Sequence, residues 1–226
     1  DEGALFPMPD RGTLLLTLKE GLKIAGNELA GSLSFLIYTG IVARLGAASL
    51  AANEIGINIV QTAFLPAVGF GQAAMILIGQ RIGAGNLQAA RRTGFEVELY
   101  CAIFMLGMGI LFFISPHFIG RLYTKDPEVL SYLVPMIRFG AFFQIFDGGQ
   151  IVFSFCLRGA GDTTYLFLVN LIGSWAFFVP MVWAVVHFLN KGVIWTWAGM
   201  YAFMFLLFIA YGLRYITLKW DKIKAK

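Results

Sequence analysis

The sequence has few charged residues: Asp, Glu, Lys and Arg make up 13% of its 226 residues, whereas hydrophobic residues make up 58%. A water-soluble domain carries about 25% charged residues, so this shortage excludes an ordinary soluble enzyme and indicates a surface that faces lipid. The formal net charge is +4, but the basic residues stand singly at the ends of apolar segments. That distribution is typical of membrane topology and argues against nucleic acid as a partner.

Cysteine and histidine are also scarce, with two of each. Cys101 and Cys156 lie inside apolar runs and offer neither a disulfide framework nor the spacing of metal ligands. The glycines of LRGAGDT follow an apolar helix instead of a strand, so they do not predict a phosphate loop. With no nucleophile elbow and no metal-binding pair either, the sequence predicts no enzyme and no cofactor.

Long hydrophobic runs are what the sequence has in abundance. Six stretches are each long enough to cross a hydrocarbon core of about 30 Å, which takes roughly 20 helical residues. The runs are continuous and do not alternate, which argues against transmembrane strands. The predicted fold class is an all-α polytopic membrane protein, with six transmembrane helices at about 21–45, 51–80, 99–120, 129–157, 163–190 and 192–213.

The remaining segments are short and more polar. We expect a linker at 1–13, a membrane lobe at 14–216 and a basic tail at 217–226. Residues 86–98 mix charged and apolar residues, which indicates a short interfacial helix before helix 3 or, alternatively, a solvated loop. Because the chain starts in a linker without a signal-peptide pattern, we expect it to be the second part of a longer protein.

The positions of lysine and arginine predict the orientation, because these residues are retained on the cytoplasmic side. Residues 44, 121, 125 and 191 are the few basic positions on one side of the membrane. The other side is much richer, and both termini are therefore predicted to be cytoplasmic in a plasma (inner) membrane protein. The basic residues of that side are Arg11, Lys19, Lys23, Arg81, Arg91, Arg92, Arg158, Arg214, Lys219, Lys222, Lys224 and Lys226.

Asp147 is the main candidate for a functional residue, because it lies near the middle of helix 4 and an ionisable group there is costly. Gln144, Asp147 and Gln150 are spaced three apart and predict one polar stripe. Its oxygens could bind a cation such as sodium or hydrogen-bond a substrate. The alternative is a protonated aspartic acid that hydrogen-bonds a neighbouring helix as packing.

Glu28 is a second intramembrane carboxylate, and it too has no cation within hydrogen-bonding reach on its own helix. Together with Asp147 it could share a proton or a sodium ion, unless it lies near enough to the interface to be hydrated. Arg138 lies on the opposite face of helix 4 from Asp147, so the two cannot pair.

Uncharged polar residues on other helices are candidates for a cavity lining or for interhelical hydrogen bonds. They are Asn58 and Gln61 on helix 2 and Asn170 on helix 5. Pro66 interrupts helix 2 close to two glycines, and predicts a kink because proline removes a backbone hydrogen bond.

Three stretches resemble the multidrug and toxic compound extrusion (MATE) family, specifically the second six-helix half of such a transporter. They are IVARLGAASLAANEIGINI, LPAVGFGQAAMILIGQRIGAGN and FCLRGAGDTTYLFLVNLIGSW, in the family's order and each across or beside an apolar helix. The resemblance implies one lobe of a twelve-helix transporter that exports organic cations and other amphiphiles in exchange for sodium ions or protons. By that resemblance Asp147 matches an acidic position used in cation coupling, and Glu28 lies about one turn before the corresponding position near Gly31.

The expected function is therefore that of the C-terminal lobe of a secondary active multidrug exporter that works by alternating access. An N-terminal lobe of the same parent chain would complete the substrate cavity. A related lipid-linked oligosaccharide flippase is the alternative within transport, although Arg138 is a lone basic residue where a pyrophosphate would need several. A non-transporting membrane assembly subunit is the alternative from a different class.

Overall fold

The computed structural model describes residues 11–189 and 191–220, and this part of the chain contains helices and no strands. The prediction of an all-helical fold is confirmed. A π-helical segment, Gly173–Phe178, joins the helices Thr163–Ile172 and Val179–His187 without a break. The helices are α1 (Arg11–Ala43), α2 (Ala47–Gly83), α3 (Leu87–Ile114), α4 (Pro116–Tyr123), α5 (Pro127–Gly159), α6 (Thr163–Ile172), α7 (Val179–His187) and α8 (Val193–Thr217).

Five of the described helical units are long and apolar enough to cross a membrane: α2, α3, α5, the α6–α7 unit and α8. The sixth long helix, α1, spans 33 residues and packs against α6, α7 and α2. Glu28 and its polar neighbours make α1 less apolar than the others. Six long helices nevertheless agree with the predicted six-helix architecture.

The predicted start of helix 3 at residue 99 is wrong, because residues 87–98 belong to the same helix and do not form a separate interfacial helix. A single helix, α3, runs from Leu87 to Ile114. Asn86 caps its start by accepting a hydrogen bond from the Ala89 N–H at 3.0 Å. Pro116 ends it, since proline disfavours a helical conformation in the residue before it, and the chain turns there into the short α4. The charged residues of this segment therefore lie on the first turns of a membrane helix.

Other ends differ as well. Residues 11–13, predicted as linker, are helical at the start of α1. Helix α8 continues four residues past the predicted end at 213, to Thr217. The Tyr215 hydroxyl anchors this extra turn by donating to the carbonyls of Ala90, at 3.2 Å, and Arg91, at 3.0 Å. The predicted linker at 1–10 and tail at 221–226 lie outside the described residues.

Helix α5 is the centre of the bundle and packs against α2, α3 and α8. Small residues let the backbones approach closely, as is common between membrane helices. A Cβ on Gly109 of α3 would lie 2.7 Å from the carbonyl oxygen of Ala141 on α5. A Cβ on Gly159 of α5 would lie equally close, at 2.7 Å, to the Met75 carbonyl oxygen on α2. Glycine is therefore required where α5 meets both neighbours.

A buried hydrogen-bond network joins three helices at the opposite end of the bundle from Gly159. The side-chain oxygen of Asn53, on α2, accepts a hydrogen bond from the Tyr38 hydroxyl of α1 at 2.6 Å. The same oxygen accepts from the indole N–H of Trp197 on α8 at 2.9 Å. Asn53 and Trp197 are fully buried, so this network fixes the positions of α1, α2 and α8 relative to one another.

Candidate functional site

A cavity of about 600 Å³ lies between α1, α2, α5, α8 and the α6–α7 unit. Most of its wall is apolar and includes several phenylalanine rings, so it suits a large amphiphilic molecule. Polar side chains account for a little under half of the lining residues. The polar lining residues are Glu28, Ser32, Ser34, Gln61, Asp147, Gln150, Ser154, Arg158, Asn170, Ser174, Tyr201 and Tyr211.

Asp147 lies in this wall and is 5% exposed. It stands near the middle of α5, where the helix packs between α2, α3 and α8. The Gln150 side chain, one turn further along α5, interacts with the Asp147 carboxylate. Among the described residues, no lysine, arginine or histidine forms an ion pair with Asp147. The structure therefore places a buried carboxylate without a balancing cation at the edge of a large cavity.

Tyr201 on α8 is a lining residue that the sequence analysis missed. Its ring stacks on Phe143 of α5, with the ring centroids 5.1 Å apart. Its hydroxyl is buried over Gly140, has no hydrogen-bond partner in the described part of the chain, and lies within electrostatic range of Asp147. A tyrosine in an apolar run carries no sequence signal of such a position, because packing between α5 and α8 decides where its hydroxyl points.

The predicted polar stripe on α5 is only partly correct. Asp147 and Gln150 line the cavity, but Gln144 does not. It is fully buried beside Gly109 of α3, and both of its amide atoms lack a hydrogen-bond partner within the described residues. Residues three apart on a helix are separated by about 60°, so positions 144 and 150 lie about 120° apart and face different neighbours.

Glu28 also lines the cavity, but the structure corrects its surroundings. The Arg158 guanidinium, at the end of α5, lies 3.2 Å from the Glu28 carboxylate. The Glu28 side chain is 65% exposed. The expectation of two isolated carboxylates is therefore wrong: Asp147 and Glu28 share one cavity, and Glu28 has its cation from another helix. Sequence spacing within helix 1 cannot show a partner that is 130 residues away.

The uncharged candidates divide between lining and non-lining positions. Gln61 and Asn170 line the cavity, and the Asn170 side-chain oxygen accepts a hydrogen bond from the Ser174 hydroxyl at 2.9 Å. Asn58 and Pro66 are exposed and lie outside the lining. Pro66 stands inside a helix that continues through it, and the kink there stays a prediction.

The Asp147 carboxylate and its neighbours set the chemistry of this part of the cavity. No cluster of three or more His, Cys, Asp or Glu side chains occurs in the chain as described. The Gln150 amide interacts with the Asp147 carboxylate, and Tyr201 lines the same cavity. Such a set can bind a small cation at the carboxylate, or leave the carboxylate protonated, and can switch between the two.

Comparison with known proteins agrees with this fold and cavity. The sequence profile of the MatE family matches residues 24–184. The chain belongs to the MatE family. The match covers the first five long helices from the middle of α1 onward, and so includes both carboxylates and most of the cavity wall.

Curated relatives of this MatE chain are named as multidrug resistance proteins. The "Probable multidrug resistance protein NorM" of Thermotoga maritima is 27% identical over 208 residues, which are 91% of this chain and 44% of the relative. The protein of the same name from Burkholderia pseudomallei is 35% identical over 175 residues, or 75% of this chain and 37% of the relative. The chain thus spans less than half the length of these curated relatives. Their names assign them to multidrug resistance.

Solved structures show the same fold. A crystal structure of MATE in the bent conformation matches with a TM-score of 0.85 and 16% identity, over 96% of this chain and 49% of that one. An outward-facing multidrug resistance MATE family transporter matches with a TM-score of 0.81 and 18% identity, over 92% and 46%. Membrane-length helices and this fold make the MatE chain an integral membrane protein.

Proposed function

We propose that this chain forms one lobe of a secondary active exporter that moves amphiphilic organic cations out of the cell in exchange for sodium ions or protons. The observation that carries the proposal is Asp147, a buried carboxylate without a balancing cation in the wall of a large, mostly apolar cavity. An ionisable group in such a position is costly and marks an ion or substrate path. Membership of the MatE family supports the same activity.

The charge of the cavity supports a cationic substrate. Of the described lining residues, Asp147 and Glu28 are acidic, and Arg158 is the basic one. Because Arg158 is paired with Glu28, the remaining negative charge is that of Asp147. A lipid-linked pyrophosphate would need several unpaired cations, so these lining residues favour the exporter over the flippase.

Coupling would arise because ion and substrate use the same cavity. A sodium ion or proton at Asp147 neutralises the carboxylate, and this removes the charge that attracts a cationic substrate. Exchange then follows if the cavity opens alternately to the two sides of the membrane. In transporters built from two repeats, such opening needs two bodies that rock against each other. The second body would be an N-terminal lobe of the same parent chain, with the termini of this lobe in the cytoplasm.

The deciding experiment is transport of a cationic dye in everted membrane vesicles that contain the parent protein. Wild type and Asp147→Asn are compared under sodium and proton gradients imposed separately. We expect one gradient to drive wild-type transport and the substitution to abolish it. The matched control is Asp126→Asn, because Asp126 starts the same helix and asparagine keeps its capping hydrogen bond to the Glu128 N–H. Transport by Asp147→Asn at the wild-type rate would sink the assignment.

The two-lobe requirement can be tested with the chain alone. Purified and reconstituted into liposomes, residues 1–226 should bind the dye weakly and transport none of it under either gradient. Gradient-driven accumulation of dye by this chain alone would contradict the need for a second lobe.

A further inference from the structure

Glu98 is a carboxylate that the proposed transport cycle does not use. It lies in the fourth turn of α3, a helix long and apolar enough to cross the membrane. It is not among the residues that line the Asp147 cavity. Its surroundings on the far side of α5 therefore need an explanation of their own.

The close contact of Glu98 is with Gly149 on α5. A Cβ on Gly149 would lie 2.6 Å from the Glu98 Oε1 atom and 2.7 Å from Cδ2 of Phe208 on α8. Gly149 is two residues from Asp147, which is about 3 Å along the helix axis and about 200° around it. The carboxylates of Asp147, on α5, and Glu98, on α3, thus lie on opposite faces of α5 at nearly the same depth.

The Glu98 carboxylate has no partner that could balance a negative charge. Its Oε2 atom is buried and accepts or donates no hydrogen bond within the described residues. The thiols of Cys101, one turn further on α3, and Cys156 on α5 lie within electrostatic reach of it. Both cysteines are fully buried. Thiols are weak donors, so neither stabilises an ionised carboxylate.

The basic residues of the surrounding helices are engaged elsewhere or too far away. Arg92 pairs with Glu96 at 2.7 Å on the exposed side of α3. Arg91 is exposed and lies two turns, or about 10 Å, before Glu98. On α8, Arg214 pairs with Asp162 at 2.6 Å. On α5, Arg158 pairs with Glu28, and Arg138 lies about 16 Å along the helix axis from Gly149. In the described parts of these helices, no cation therefore faces Glu98.

We propose that Glu98 is a proton-binding site of the membrane bundle, separate from the Asp147 cavity, and that its carboxyl group carries a proton while α3, α5 and α8 are packed together. A lone ionised carboxylate among aromatic rings, thiols and helical backbone would lose its hydration without compensation, and a proton removes that cost.

The site also connects proton release to helix packing. Gly149 leaves just enough room for the carboxyl group, and Phe208 closes the same space. The Glu98 residue as a whole is partly exposed but its Oε2 atom is buried, so hydration of that atom requires α3 to move away from α5 or α8. A conformational change that loosens this contact would release the proton, and protonation would stabilise the closed contact.

Infrared spectroscopy of the parent protein in lipid at neutral pH tests the proposal, because a protonated carboxyl group has a carbonyl band of its own. Glutamate labelled with ¹³C at the side-chain carboxyl shifts the band of Glu98 and leaves that of any aspartic acid in place. We expect a glutamate band in wild type that Glu98→Gln removes. Glu96→Gln is the matched control, two residues away and exposed, and should keep the band. A Glu98→Met variant, which keeps the length of the side chain, gives the same measurement where the glutamine variant does not fold.

Two results would overturn the proposal. One is a wild-type spectrum without a protonated glutamate band at neutral pH, and the other is a band that survives removal of the Glu98 carboxyl group. Asp147→Asn should keep the band, which separates this site from the proposed coupling site. A result that contradicts the Glu98 site therefore does not affect the Asp147 assignment, and the reverse also holds.

Discussion

Arg158 lies 3.2 Å from Glu28 and so connects the end of α5 to α1 in the wall of the cavity. The Glu28 side chain is 65% exposed and that of Arg158 is 23% exposed, so water screens much of the attraction. Arg158 also lies over the ring of Phe155, 5.3 Å from its centroid, which holds the guanidinium near the end of α5. The pair thus orients Glu28 more than it stabilises the fold.

A double-mutant cycle at this pair should give a small coupling energy. We expect Glu28→Gln and Arg158→Gln to be coupled by no more than about 1 kcal/mol, the range of exposed ion pairs. The measurement is the free energy of unfolding in detergent micelles for the two single variants and the double variant. A coupling of several kcal/mol would show that the pair is shielded from water and that the exposure of Glu28 is lower in the complete protein.

Asn53 should be far more important for stability than a neighbouring asparagine. Asn53→Ala leaves the buried Tyr38 hydroxyl and Trp197 indole N–H without their shared acceptor, at a cost of about 1–3 kcal/mol for each orphaned group. Asn58→Ala is the matched control, because Asn58 is exposed on the same helix. Chemical denaturation monitored by tryptophan fluorescence compares the two. Equal losses of stability would contradict the role of the network.

Two glycines on α3 should respond oppositely to alanine. At Gly109 the added Cβ meets the Ala141 carbonyl oxygen, so Gly109→Ala should destabilise by about 1–3 kcal/mol as overpacking does. At Gly107 a Cβ meets nothing within 4 Å, so Gly107→Ala should be neutral or stabilise the helix slightly. Thermal unfolding of both variants in the same detergent measures the difference. A Gly109→Ala protein as stable as wild type would show that α3 and α5 can move apart at no cost.

Removal of the Tyr201 hydroxyl should separate ion binding from stability. Tyr201→Phe deletes a buried hydroxyl that has no hydrogen-bond partner among the described residues, so stability should be unchanged or higher. If the hydroxyl helps Asp147 to bind the coupling ion, the ion concentration for half-maximal transport should rise by about tenfold, which corresponds to 1.4 kcal/mol. Tyr100→Phe is the control, because Tyr100 is 63% exposed on α3. An unchanged ion dependence in Tyr201→Phe would remove Tyr201 from the site.

The sequence predicted the helices better than it predicted their contacts. The span of α5 and its intramembrane Asp147 could be recognised, since a carboxylate in an apolar run is visible in the sequence itself. The expected interfacial helix at 86–98 is wrong, because the charged residues there do not mark the end of the membrane helix. Arg92 and Glu96 instead form an exposed ion pair one turn apart on α3, and the helix continues past both residues. For the same reason Glu98, at the end of the expected interfacial segment, did not stand out as a membrane residue in the sequence.

The amino-acid sequence by itself determined that this protein is helical, lies in a membrane and belongs to the MatE family, because hydrophobic length and local motifs are properties of contiguous residues. Tertiary structure alone decided which polar groups share a site. It paired Glu28 with Arg158, turned Gln144 away from the cavity, placed Tyr201 and Asp147 in the wall of one cavity and placed Glu98 against Gly149. Each of these relationships joins residues on different helices or depends on which neighbour a helix faces. The packing between helices sets these relationships, and they cannot be read from the spacing of residues along one helix.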